Sequence, residues 1–362
     1  MTMRPTERFL AACRRQPVDR PPVWIMRQAG RYMASYRALR ERASFMEICR
    51  RPELSLEATM MPVEQLGIDA AIVFSDILVP LEPMGLAVTF DEGGPRVSPV
   101  TSAAAIAALR TDVADDLGFV YEAIALIKRA LAEQAPAAPT SGSAFASALP
   151  LLGFAGSPFT LATYAVEGGT TRNKHALRRL IWDAPEALHA LLGKLAEVVA
   201  AYGIRQIDAG ADAIQLFDTW GGLLTEAEWR VFSLPYTSRV LATLRAARPE
   251  TPLIHYALEA AHLVEAMGEL PCDVLSVDWR EPLSRARSRT GGRFALQGNV
   301  EPGVMTCSHA AIGKAVRACM DDYGRVPGHI VNLGHGITPD ATVGAAQVFV
   351  EEAKAHGAAL WR

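Results

Sequence analysis

Two arginines stand directly after a short apolar run near the start of the chain. Val23-Trp24-Ile25-Met26 reads as a buried strand, and Arg27, Gly30 and Arg31 follow it at once. A guanidinium is always charged and is costly to bury without a partner, so neither arginine suits a core. Its planar fork grips carboxylate or phosphate through two parallel hydrogen bonds. Gly30 lets the backbone turn sharply and approach a ligand. Two readings follow: an anion-binding turn, or a pair of arginines bridged to the protein's own Asp or Glu. The same question recurs wherever an apolar run ends in a polar side chain. Asp76 closes Ala70-Ala71-Ile72-Val73-Phe74-Ser75, and Ser157, Asp218, His255, Asp278, Gln297, Asn299, Asn332 and His335 end or follow later runs.

The elements that must position these residues are strands buried on both faces. The runs are continuous rather than alternating, as in parallel sheets. They fall near residues 23, 72, 151, 214, 253, 275, 295 and 331, with helical sequence between them. Eight β/α units in 362 residues predict one (β/α)8 barrel domain over 1–362. A doubly wound sheet is the alternative, but no G-x-G-x-x-G follows the first strand. The segment 83–99 is expected to be irregular with a hairpin, and the Ala/Pro/Ser-rich stretch 134–146 to be an exposed loop. In a barrel the residues just after the strands converge on one face, where active sites lie.

Each candidate also has a structural reading. Asp76 could cap the following helix. Asp218 and Asp278 could pair with arginines across the barrel mouth, and His255 could be a satisfied barrel histidine. His335 sits between two glycines that strip away packing. Tyr164 opens a helix after the third strand and either packs or touches a ligand.

Composition narrows the classes. The net charge of −3 points to no nucleic acid, yet residues 1–51 hold twelve Arg against four acidic residues. That excess could attract an anionic partner. The five cysteines are scattered and form no C-x-x-C, which argues against a disulfide framework and fits a reducing cytoplasm. No signal peptide or membrane span is expected. A metal site has weak support, because Ala257 stands where a second soft ligand could follow His255.

Six stretches carry a resemblance to a known family: MRQAGRY (26–32), FSDIL (74–78), GFAGSPFTLATYAVEGG (153–169), QLFDTWGG (215–222), LQGNVEP (296–302) and NLGHGITPD (332–340). Together they span nearly the whole chain, and it resembles the uroporphyrinogen decarboxylase family. The resemblance implies a single (β/α)8 barrel, a homodimer, no metal and no organic cofactor. It implies decarboxylation of the four acetates of uroporphyrinogen, an eight-carboxylate macrocycle, to give coproporphyrinogen in tetrapyrrole (heme) synthesis. Carried over residue by residue, Arg27, Arg31 and Arg40 would hold carboxylates, with the Gln28-Ala29-Gly30 backbone against the substrate. Asp76 would accept the pyrrole N–H groups, and Tyr164, Thr219 and His335 would complete the site. Thr219 stands where some relatives carry Ser, and the hydroxyl is retained. The catalytic pair would be Asp76 and Arg27, with a bound water or a substrate carboxylic acid as alternative proton donors. A zinc-dependent corrinoid methyltransferase on the same barrel and a non-catalytic tetrapyrrole carrier are the competing readings.

Overall fold

A computed structural model describes residues 3–91, 93–133, 149–171 and 173–361. The 134–146 loop expected from the sequence therefore lies outside the described residues. Nine strands occur among the described residues: β1 (Ala71–Ile72), β2 (Val88–Asp91), β3 (Gly94–Val97), β4 (Leu151–Gly156), β5 (Ala213–Asp218), β6 (Leu253–Ala257), β7 (Val274–Ser276), β8 (Ala295–Val300) and β9 (His329–Leu333). β2 and β3 form the expected hairpin. The other seven make one parallel sheet in the order β1-β4-β5-β6-β7-β8-β9. Helices connect them, as parallel pairing requires.

The eighth barrel position belongs to residues 22–26, and it closes the sheet with little ladder. Only Val23 forms a parallel bridge, to Val331. Around it, Val331 N donates to Pro22 O at 2.8 Å, Trp24 N to Val331 O at 3.2 Å, and Asp69 N to Val23 O at 2.7 Å. Side chains replace the missing rungs. Val23 N donates to Asp69 Oδ2 and Met26 N to Asn332 Oδ1, both at 2.9 Å. Asp69 is itself fixed by Arg8 at 3.0 Å and Arg20 at 2.6 Å. A buried ion network thus holds the strand that ends in Arg27.

The barrel interior combines apolar packing with one polar belt. Trp24, Leu152, Ile254, Tyr256, Val274 and Ile330 pack in a common core. Trp24 Nε1 donates to Gln297 Oε1 at 3.0 Å, and Gln297 Nε2 donates to Gln215 Oε1 at 3.0 Å and Ser276 Oγ at 2.9 Å. Gln297 is therefore consumed inside the barrel rather than presented at its mouth.

Two helical stretches, 36–49 and 225–247, are each broken in two. The 36–49 stretch divides into Ala34–Arg42 and Phe45–Arg50, because Ser44 starts a new helix with a capping box to Glu47. The 225–247 stretch divides at Ser233, whose hydroxyl turns inward to the end of β5. The helix Pro185–Asp208 is long and apolar enough to cross a membrane by composition. Here Leu188, Leu191, Leu192 and Leu195 are fully buried, so its apolar face is spent on the barrel core.

Candidate active site

The C-terminal ends of the strands gather the predicted residues around Arg27. Arg27 adopts a left-handed conformation, φ 61°, that a non-glycine residue reaches at a cost of about 1–3 kcal/mol. The fold holds this turn on both sides: Met26 O accepts from Ile337 N at 2.9 Å, and the Arg27 side chain lies against Gly336. From there its charge acts on Asp76, Tyr164, Tyr256 and His335, which come from four separate β/α units.

Asp76 is half-buried, and desolvation pushes its carboxyl up to about 6. The Leu78 N–H, which donates to Oδ1 at 2.8 Å, and the Arg27 charge oppose that rise. The capping reading falls, because the helical turn Val79–Leu81 that follows has no side-chain cap. Asp76 closes a local turn through one oxygen, and it has no ion-pair partner among the described residues. Tyr164 packs edge-on against Trp220 with ring centroids 5.8 Å apart. Burial raises its phenol above the ordinary range. His335 packs edge-on against Tyr256 at 6.1 Å. Burial, reinforced by Arg27, pushes its imidazole down to about 4, so the ring is neutral at pH 7.

The arginines divide by partner. Among the first 51 residues, Arg4, Arg8, Arg14, Arg20, Arg42 and Arg50 pair with carboxylates. Arg27, Arg31 and Arg40 have no such pair among the described residues, and all three are exposed. The self-bridged reading of Arg27 and Arg31 therefore falls. Arg40 lies over the Phe45 ring at 5.8 Å. Arg31 and Arg40 both act on Tyr36, whose ring lies 5.5 Å from Phe74, two residues before Asp76. Gln28 is 1 % exposed, and its side-chain amide has no protein partner among the described residues. Its carbonyl accepts from Tyr32 Oη at 2.5 Å, which holds the Gln28-Ala29-Gly30 turn.

Thr219 is set by what flanks it. Asp218 is fully buried and accepts from Ser157 Oγ at 2.5 Å, Thr160 Oγ1 at 2.9 Å and Ser233 Oγ at 2.9 Å. No arginine reaches it among the described residues, contrary to the pairing expected. Thr160 Oγ1 in turn accepts from Trp220 N at 3.1 Å, so the residues on both sides of Thr219 are fixed. Asp278 does pair with an arginine, but with Arg280 two residues along the same loop, at 2.7 Å, rather than across the mouth. His255 is buried as the structural reading had it, but neither ring nitrogen finds a hydrogen-bond partner among the described residues, and Nε2 stands 4.0 Å from Asp218 Oδ2. Burial pushes it down to about 4. Asn299 and Asn332 serve backbone groups.

Sequence reasoning missed Trp220 and Gly336. Trp220 follows Thr219 and backs Tyr164, and position in the QLFDTWGG stretch was the available signal. Gly336 could not be found without knowing what crosses it. No group of three or more His, Cys, Asp or Glu converges as a metal set among the described residues.

A parallel barrel whose mouth sets an unpaired guanidinium against a desolvated carboxylate has the architecture of an α/β-barrel enzyme. Comparison with known proteins narrows this class. Residues 4–356 match the uroporphyrinogen decarboxylase (URO-D) family. The uroporphyrinogen decarboxylase of Legionella pneumophila (strain Philadelphia 1) is 43% identical over 347 residues, covering 95% of each chain. That of Chloroflexus aurantiacus is 41% identical over 350 residues, covering 95% of this chain and 94% of the other. Among solved structures, a methyltransferase from Methanosarcina mazei superposes with a TM-score of 0.75 at 18% identity, covering 98% of this chain and 99% of that one. At that identity the likeness shows the shared fold. The chain belongs to the uroporphyrinogen decarboxylase family.

Proposed function

We propose that this enzyme removes the four acetate carboxyls of uroporphyrinogen III as CO2, giving coproporphyrinogen III for tetrapyrrole (heme) synthesis. The observation that carries the reading is the mouth itself. Arg27, Arg31 and Arg40 have no protein counter-charge among the described residues, and they face a substrate with eight carboxylates. Asp76 feels the Arg27 charge and has no ion pair of its own among the described residues.

The chemistry follows from that arrangement. Each cycle converts R–CH2–CO2⁻ and one proton into R–CH3 and CO2. Protonation of a pyrrole carbon makes the ring cationic. The C–CO2 bond then breaks and its electron pair flows into that ring. A proton delivered to the exocyclic carbon completes the methyl group, and loss of the proton first added to the ring carbon restores the pyrrole, so one proton is consumed net. Asp76 accepts the pyrrole N–H groups and stabilises the cationic ring in a site with little water, an effect typically worth about 10²- to 10³-fold in rate. Arg27 binds a substrate carboxylate and is placed to deliver the proton. A guanidinium is a weak acid, so a bound water or a substrate carboxylic acid between Arg27 and the ring is the alternative carrier. Arg31, Arg40 and the Gln28-Ala29-Gly30 backbone hold further carboxylates. Tyr164, Thr219 and neutral His335 supply uncharged contacts. The protein works as a homodimer in the cytoplasm, which sedimentation of the purified chain and fractionation of cells would check.

The test is anaerobic incubation with freshly reduced uroporphyrinogen III, oxidation of the products and separation by carboxyl number. Seven-, six-, five- and four-carboxyl porphyrins are expected. An unchanged eight-carboxyl peak from folded protein overturns the reading.

A further inference from the structure

The first 51 residues hold more arginines than the mouth uses, and two of them lie at the other end of the barrel. Arg14 and Arg15 follow the helix Pro5–Cys13. Phe294 and Pro327 immediately precede the N-terminal ends of β8 and β9. Between them opens a cavity of about 290 Å3 whose wall includes Arg14, Arg15, Arg287, Phe294 and Tyr323, with no carboxylate side chain among the described residues that line it.

Arg14 and Arg15 are exposed and Arg287 is half-buried, and the backbone around them fixes where Arg15 and Arg287 point. Arg15 takes a left-handed conformation, φ 53°. Its Nη1 donates to the carbonyl of Gly292, itself at φ 63°. Gly328, at φ 107°, makes room for it, since a Cβ there would lie 2.9 Å from Arg15 Cγ. Arg287 Nη1 donates to Tyr323 O at 2.6 Å, and its guanidinium lies 5.1 Å from the Tyr323 ring centroid. That ring stacks on His329 at 4.4 Å. Each guanidinium is thus oriented by one backbone carbonyl and keeps other N–H donors in reserve. Arg15 and Arg287 have no ion pair among the described residues, and Arg14 reaches only Glu250, at 3.7 Å. Three cations around one hollow repel each other unless an anion enters. Guanidinium forks select phosphoryl or carboxylate oxygens.

We propose that this cavity is a second ligand site that binds a compact polyanion with two or more phosphoryl or carboxylate groups. Its volume lies just below the range of roughly 300–1,000 Å3 for drug-sized ligand pockets. That suits a small anion and excludes a tetrapyrrole.

The test is equilibrium dialysis of the full-length protein against radiolabelled pyrophosphate at fixed ionic strength. Arg27→Gln and Arg31→Gln are built into the background to remove anion binding at the mouth. One pyrophosphate per chain is expected. Arg15→Gln or Arg287→Gln should each weaken it by about tenfold or more, the worth of one charge-assisted hydrogen bond. Unlabelled citrate that competes extends the site to carboxylates, whereas citrate that does not compete assigns it to phosphoryl groups. If Arg15→Gln lowers the thermal midpoint too far to test, Arg14→Glu, whose side chain is 41% exposed, must still abolish binding. No saturable binding, or equal binding in the cavity variants, overturns the proposal.

Discussion

The Arg27 side chain lies directly across Gly336. A Cβ added to that glycine would stand 2.4 Å from Arg27 Cδ and 2.7 Å from Cγ. The turn after the first strand and the turn after the last therefore meet at one point, and a hydrogen atom on Gly336 is what lets the guanidinium reach the mouth. Gly336→Ala should displace Arg27 and lower kcat/KM at least about tenfold, since misplacement by an ångström costs up to roughly 10²-fold. The thermal midpoint should stay close to that of wild type, and steady-state kinetics with thermal unfolding measure the two effects separately.

Asp76→Asn should keep the fold and lower kcat by about 10²- to 10³-fold. It should also change stability, in a direction fixed by linkage. The folded carboxyl titrates near 6, above its unfolded value, so between roughly pH 4 and 6 the folded state binds more protons. Wild-type stability thus falls as pH rises through that window, and an amide does not share the loss. Asp76→Asn should unfold at a higher temperature than wild type at pH 7.5, with the gap closing toward pH 4. A variant less stable at pH 7.5 would contradict a desolvated Asp76.

The pH profile separates Asp76 from His335. With Asp76 near 6 and His335 near 4 in the free enzyme, the acid limb of kcat/KM should fall near pH 6. His335→Gln should leave that limb in place. A limb that vanishes in His335→Gln would transfer the titration to the histidine.

Arg8 and Arg31 are both arginines of the N-terminal segment, with opposite expected behaviour. Arg8 is 2 % exposed and bound to Asp19 and Asp69. Removing it leaves buried carboxylates, so Arg8→Ala should cost about 3–5 kcal/mol. Arg31→Ala, exposed and unpaired, should change stability by less than about 0.5 kcal/mol while raising KM. Denaturant unfolding and kinetics on both variants check the contrast.

Asp218 is held by neutral donors alone within hydrogen-bond range. Asp218→Asn places amide hydrogens against hydroxyls that now donate, and it should cost about 1–3 kcal/mol. Because Thr160 links this carboxylate to Trp220 N, Trp fluorescence should also shift.

Much of this protein was determined by its sequence alone. The eight apolar runs mark all eight barrel positions, because a strand buried on both faces must be apolar throughout. The residues that end those runs were legible as mouth residues for the same reason, and Arg27, Asp76, Tyr164 and His335 do share one electrostatic neighbourhood. What the sequence left open was partnership. Nothing in Asp218 and Asp278 as residue types says that one meets hydroxyls and the other Arg280. Nothing in the arginine count says which three stay unpaired at the mouth. Those outcomes depend on approaches between segments far apart in the chain: Asp69 against Arg8, Ser233 turned in by a helix break, Gly336 beneath Arg27. Local pattern dictates which surface of an element is buried. Only closure of the barrel decides which polar groups find partners and which are left for a ligand.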